Sequence, residues 1–83
     1  GTADTINPPS LTHAFYALAP RPKFLLSLLG AGHLPPYSSQ HPQLEIVERV
    51  TIAFLDRFFK HGSPSRLIAS GSVPGVAELA SSP

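Results

Sequence analysis

Residues 23–29 read Lys-Phe-Leu-Leu-Ser-Leu-Leu and run directly into residues 30–33, Gly-Ala-Gly-His. The apolar run is short, does not alternate with polar residues, and lies between Pro22 and Gly30. Such a run is typical of a β-strand buried on both faces, as in a parallel sheet covered by helices. A buried helix is the competing interpretation because leucine is a poor strand former, but the shortness of the run favours a strand.

A helix is predicted on the N-terminal side of this strand, over about residues 9–18. Its apolar residues follow the i, i+3, i+4, i+7 spacing of one helical face: Leu11, Ala14, Phe15 and Leu18. Asn7 precedes two prolines and is expected to be the N-cap. The prolines of Ala19-Pro20-Arg21-Pro22 should end this helix, because each disfavours helical backbone in the residue before it.

A longer helix is predicted on the other side, from Gln43 to about Lys60, after a proline-rich loop at residues 33–42. Gly62 is placed to end this helix in the left-handed conformation. Residues 63–83 are rich in Ser, Gly and Pro and are expected to form an irregular tail, either mobile or docked as short edge strands. The predicted apolar face of the long helix consists of Leu44, Val47, Phe54, Leu55 and Phe58.

Composition excludes several classes of protein. The chain has 83 residues and no cysteine, so it has neither disulfides nor a thiolate zinc site. Its formal net charge is +1, which provides no basic field for nucleic acid. No apolar run approaches the roughly 20 residues of a transmembrane helix. The four histidines and five acidic residues have no metal-ligand spacing, and no cofactor is predicted.

The predicted strand needs neighbours that this sequence does not obviously supply. A solitary strand would leave backbone N–H and C=O groups unpaired, and burying such groups is costly. A parallel partner needs a crossover connection of a dozen or more residues before the strand, and the first helix is all that precedes it. We therefore expect an incomplete domain, whose missing strand lies upstream of Gly1 or in another chain.

Two residues stand out as candidates for chemistry, 29 residues apart: Asp4 in a polar turn and His33 directly after the strand. Ligand sites of open α/β sheets lie beyond the carboxyl ends of strands, and one helix and one strand separate these residues. They are therefore expected at the same sheet edge, where the carboxylate would hydrogen-bond to Nδ1–H of a general base. The simpler interpretations are an Asx-turn for Asp4 and an ordinary loop residue for His33.

Four features in this order resemble the C-terminal part of an α/β-hydrolase of the dienelactone-hydrolase-like and lipase-like or polyester-hydrolase-like branch. They are the Gly-x-x-Asp turn at residues 1–4, the strand, the Gly-Ala-Gly-His sequence and the long helix ending at Lys60. The resemblance covers about residues 1–62, and the chain order of Asp before His is that of the fold. It implies an α/β fold in which Asp4 is the triad acid and His33 is the general base.

The sequence departs from this family in lacking the Gly-x-Ser-x-Gly nucleophile elbow and the oxyanion-hole loop. Residues 71–75 read Gly-Ser-Val-Pro-Gly, with Ser in the wrong place. The expected function is therefore a segment of a serine hydrolase that cleaves carboxylic esters, inactive alone, with its nucleophile elsewhere. Its expected partners are the remainder of the hydrolase domain and an ester, lipid or polyester substrate.

Two questions stay open at this level. Leu34, Pro35 and Tyr37 follow the candidate base and could line an acyl or alcohol pocket, or only stiffen a loop. The alternative function is a non-catalytic interaction module that binds a partner through the apolar face of helix 43–60. Nothing in the sequence indicates the compartment.

Overall fold

A computed structural model of the protein describes residues 1–82. Three α-helices and a two-stranded sheet form a mixed α/β structure. Their bounds, in chain order, are α1 Pro9–Leu18, β1 Lys23–Leu28, α2 Gln43–Phe59, α3 Pro64–Gly71 and β2 Ala77–Ser82. A short 3₁₀ turn, Pro35–Tyr37, lies between β1 and α2. The helix and strand predicted around residues 9–29, and the long helix after them, are confirmed. The strand is not buried on both faces as predicted, because only Leu28 is buried and the rest of β1 is half-buried.

The pairing of β1 differs from the prediction. Its partner is β2, and the two strands are antiparallel, from Lys23 opposite Ser82 to Leu28 opposite Ala77. We expected a parallel partner upstream of Gly1 or in another chain, but within residues 1–82 the strand beside β1 is the antiparallel β2. The expectation failed because a continuous apolar run reports that a strand is covered by other residues, and it does not report the direction of the neighbouring strand.

Of the predicted tail, the structure describes residues 63–82. They contain α3, which was not predicted, and β2, which agrees with the alternative of a docked edge strand. Ser63 caps α3 by accepting a hydrogen bond from the backbone N–H of Arg66. Gly71 lies against the sheet and α2, where an added Cβ would come within 3.1 Å of the Leu26, Leu79 and Val50 side chains. The small residues of this segment therefore permit close packing.

The core lies where β1, α2 and β2 meet. It contains Leu28, Ala31, Ile46 and Ala77, with Val47 and Val50 packed against it. Ile46, only 1% exposed, was missing from the predicted apolar face of α2. Phe54, Leu55 and Phe58 belong to that predicted face, yet each is exposed. The face is thus correct near the start of α2, while its aromatic end is only partly covered, with Phe24 stacked edge-on against Phe54 and Phe58.

The apolar face of α1 is exposed throughout. None of its residues is buried, and Leu18 is 85% exposed. The helix is attached to β1 through Lys23, whose Nζ donates hydrogen bonds to the carbonyl oxygens of Tyr16 (2.7 Å) and Ala17 (3.2 Å). Its N-cap is Pro8 rather than Asn7, with no side-chain cap.

The edge of β1 away from β2 has no neighbouring strand among the described residues. In an antiparallel pair the hydrogen-bonding groups of successive residues point alternately toward and away from the partner. Leu29 N–H donates to the Val76 carbonyl, so the groups of Phe24, Leu26 and Leu28 point outward. Of these, the Leu28 carbonyl accepts from Thr2 N–H at 2.9 Å.

The end of α2 differs from the prediction in which residue adopts the left-handed conformation. The left-handed residue is His61, with φ of 57°, and not Gly62. Gly62 N–H donates to the Asp56 carbonyl at 2.8 Å and so satisfies a carbonyl at the C-terminal end of the helix. No helix within residues 1–82 is long and apolar enough to cross a membrane.

Candidate active site

Asp4 lies in a compact turn between Gly1 and Asn7. Its Oδ1 accepts hydrogen bonds from the backbone N–H groups of Ile6 (2.9 Å) and Asn7 (2.8 Å). This is the Asx-turn that the simpler interpretation predicts. The turn uses only one carboxylate oxygen, and the residue is 8% exposed. Oδ2 is therefore held in a defined direction and is available for a second partner.

That second partner is His33, whose Nδ1 lies 2.8 Å from Asp4 Oδ2. The backbone turns after β1 at Gly30, which has φ of +72°, a conformation that glycine adopts without strain. Ala31 is fully buried after this turn and anchors the loop, while the His33 side chain is 38% exposed. The structure therefore brings together the two residues that the sequence singled out.

The surroundings of Asp4 favour its ionised form. The Asn7 N–H bond is the main cause of a lowered pKa at Asp4, and the bonds from His33 and Ile6 act in the same direction against the opposing effect of burial. An ionised carboxylate can only accept hydrogen bonds, so Nδ1 of His33 must carry the proton. In the neutral imidazole Nε2 then holds the lone pair, and no described residue donates a hydrogen bond to it.

The lowered pKa of Asp4 makes a prediction for stability. A carboxylate with a pKa below its ordinary value of 3.8 binds its proton more weakly when folded than when unfolded. Its contribution to the free energy of unfolding is therefore complete above that value and is lost as the pH falls through the lower, folded-state pKa. We expect urea titrations to show a larger loss below about pH 4 in the parent than in the Asp4→Asn variant, in which Glu45, whose pKa is also lowered, still contributes. Equal acid sensitivity of the two proteins would contradict it.

An open cavity of about 330 Å³ adjoins the pair. Leu34 and Tyr37 line it beside His33 and are both exposed, whereas Pro35 is not one of its lining residues. Of the three predicted pocket residues, Leu34 and Tyr37 therefore line the cavity that His33 also lines, and Pro35 does not. A larger cavity of about 490 Å³ lies between α2 and α3, and its lining includes neither Asp4 nor His33.

Among the described residues, no nucleophile is hydrogen-bonded to the imidazole. No serine hydroxyl within residues 1–82 hydrogen-bonds to His33. Ser38 and Ser72 instead donate to backbone carbonyls of Leu34 and Ile68. No three histidine or acidic side chains of the described residues are grouped to hold a metal ion.

Thr2 is the residue of this site that the sequence analysis missed. Its N–H bonds to Leu28 at the end of β1 and its hydroxyl bonds to Gly30 in the turn that follows, although the sequence shows only a threonine in a polar turn. No local sequence pattern predicts these contacts, because the partners of Thr2, Leu28 and Gly30, lie 26 and 28 residues further along the chain.

Comparisons of the chain with protein-family models, with curated proteins and with solved structures find no match. The function is therefore argued from the geometry of Asp4 and His33.

Proposed function

We propose that residues 1–62 are the C-terminal αβα segment of a serine hydrolase of the α/β-hydrolase fold that cleaves carboxylic esters. The observation that carries this proposal is the 2.8 Å contact between Asp4 Oδ2 and His33 Nδ1. A carboxylate that orients an imidazole through Nδ1, leaving Nε2 open, is the acid–base half of a catalytic triad. A histidine in an ordinary loop needs no carboxylate partner, so this contact favours the acid–base interpretation over the simpler one.

In this proposal His33 acts three times in one turnover. Its Nε2 takes the proton of a serine hydroxyl as that oxygen bonds to the ester carbonyl carbon. It then gives the proton to the leaving alcohol as the carbon–oxygen bond breaks and an acyl-enzyme remains. Finally it takes a proton from the water that attacks the acyl carbon, and it gives that proton to the serine oxygen as the acyl–serine bond breaks and the carboxylic acid is released. Asp4 stays ionised and stabilises the imidazolium formed in each cycle.

The nucleophilic serine and the oxyanion hole lie outside residues 1–83 in this proposal. Two features support a larger assembly. The outward edge of β1 leaves backbone groups of Phe24 and Leu26 without a strand partner among the described residues, and an exposed strand edge of this kind is a pairing surface. The apolar face of α1 is also uncovered, including Phe15 and Leu18. A further strand and helix layer from the rest of the hydrolase domain would cover both.

Leu34 and Tyr37 extend the proposal to the substrate. Both line the cavity beside His33, with exposed apolar surface. A substrate with an apolar acyl or alcohol group would bury this surface while its carbonyl carbon lies near the imidazole. This supports an ester, lipid or polyester substrate over a small charged one.

The test is covalent labelling of the complete protein with a fluorophosphonate, which reacts with activated serine hydroxyls. We expect one labelled serine, located by peptide mass spectrometry outside residues 1–83, in a Gly-x-Ser-x-Gly sequence. The same protein should hydrolyse 4-nitrophenyl butyrate, and heat denaturation before labelling serves as the control. Absence of both labelling and hydrolysis would refute the proposal, as would a label on a serine of this chain.

A second candidate function, a non-catalytic interaction module, is favoured by one observation. The C-terminal half of α2 exposes Ile52, Leu55 and Phe59, which fits a helix that presents apolar side chains to a partner. This function requires no activated serine, so the labelling experiment separates the two candidates. A protein that is not labelled but loses its partner in co-purification when Leu55 is replaced by Ser would support the module.

A further inference from the structure

We propose that Thr2 is a positioning residue, which sets the distance between Asp4 and His33 by tying the acid turn to the loop that carries the base. The inference rests on the proposed function. It assigns a role to a residue that touches neither the imidazole nor the cavity containing it.

Thr2 makes one hydrogen bond to the last residue of β1 and one to the turn that follows it. Its backbone N–H donates to the Leu28 carbonyl at 2.9 Å, and its Oγ1 accepts from the backbone N–H of Gly30 at 2.7 Å. Leu28 is a buried member of the core and Gly30 is the left-handed residue of the turn. Thr2 is therefore hydrogen-bonded both to Leu28, at the buried end of β1, and to Gly30, where the backbone changes direction.

Neighbouring contacts show that these two segments meet backbone to backbone. Ala3 N–H donates to the Ala31 carbonyl at 3.0 Å. At Gly1 an added Cβ would clash with the same carbonyl oxygen, so only glycine fits. The acid turn is thus held against the base loop by three hydrogen bonds in addition to the Asp4–His33 contact.

The hydroxyl of Thr2 is the one side-chain bond in this set. Asp4 lies two residues after Thr2, and His33 lies three residues after Gly30. Few rotatable bonds therefore separate the hydrogen bond between Thr2 and Gly30 from Asp4 and His33. Removing the Thr2 hydroxyl leaves the Gly30 N–H without its acceptor and allows the turn at Gly30 to shift relative to Asp4. A displacement of about 1 Å in a catalytic group lowers turnover by up to about 100-fold.

The test replaces Thr2 by Val, which keeps the branched shape and removes the acceptor oxygen, and by Ser, which keeps the oxygen. Measured on the complete protein with 4-nitrophenyl butyrate, Thr2→Val should lower kcat by about 10–100-fold with KM changed less than about 3-fold, and Thr2→Ser should remain near the parent. Thr5→Val is the matched control, because Thr5 is exposed in the same turn and makes no side-chain hydrogen bond to the described residues.

A spectroscopic signature separates positioning from general stability. The Nδ1 proton of an imidazole bonded to a carboxylate gives a low-field ¹H resonance, which Thr2→Val should shift upfield or broaden and Thr2→Ser should retain. If Thr2→Val fails to fold, as judged by circular dichroism, Thr2→Ala removes the same oxygen with less bulk. Parent-like kcat and resonance in the folded Thr2→Val or Thr2→Ala protein would overturn the inference, as would equal losses in the Val and Ser variants. Absence of hydrolysis in the parent would instead refute the proposed function.

Discussion

Replacing His33 by Ala is expected to lower kcat for ester hydrolysis by at least about 1,000-fold in the complete protein. The reason is that His33 is the one group in the proposed site that can take the serine proton. Its Nδ1 is engaged with Asp4 and its Nε2 faces no donor among the described residues. Fluorophosphonate labelling should slow by a similar factor, because the probe reacts with the same activated oxygen.

The fold should survive this substitution. The His33 side chain is 38% exposed and the loop is anchored by buried Ala31 instead. Circular dichroism and the urea midpoint are therefore expected to stay close to the parent. His13→Ala provides the control, because His13 is an exposed residue of α1. Turnover above about one tenth of the parent in a folded His33→Ala protein would contradict the role of general base.

Replacing Asp4 by Asn should lower kcat by about 10,000-fold, as expected when a triad loses its ionised acid. An amide oxygen can still accept the bonds from Ile6 and Asn7 that hold the turn. The other end of the side chain becomes an NH₂ group, which cannot accept from Nδ1–H. The imidazole then favours the tautomer with its proton on Nε2, where it cannot act as a base.

A comparison of two variants separates the catalytic and structural roles of Asp4. Asp4→Asn should lose turnover while keeping most of the stability of the turn, whereas Asp4→Ala should lose both. Asp56→Asn is the matched control, since Asp56 lines the separate cavity between α2 and α3. The measurements are kcat and the urea midpoint for each protein. Parent-like turnover in Asp4→Asn would remove Asp4 from the catalytic machinery.

Much of the local structure could be predicted because its causes are local. Prolines at residues 20 and 22 end α1, and the apolar spacing of Leu11, Phe15 and Leu18 defines its period. The same reasoning predicted α2, whose observed end at Phe59 is one residue before the predicted end. These signals depend on neighbours within a few positions, and the surrounding structure does not override them.

The contact between Asp4 and His33 was also foreseeable, although the residues are far apart in sequence. One helix and one strand between two turns return the chain to the side from which it started, so both turns meet at one end of the strand. The assignment of Oδ1 to the turn and Oδ2 to the imidazole could not be foreseen. It depends on the backbone angles of the turn around Asp4, and the sequence of this turn is compatible with several sets of such angles.

What the amino-acid sequence determined by itself is where α1, β1 and α2 lie and that Asp4 and His33 end near each other. Only the tertiary structure decided that β1 pairs with β2 in the antiparallel direction, that Ile46 enters the core, and that Thr2 ties the two loops. The physical reason is that backbone pairing uses N–H and C=O groups which almost every residue possesses. Side-chain patterns therefore indicate which face of a strand is buried. The packing of the whole chain decides which strand pairs with it and in which direction.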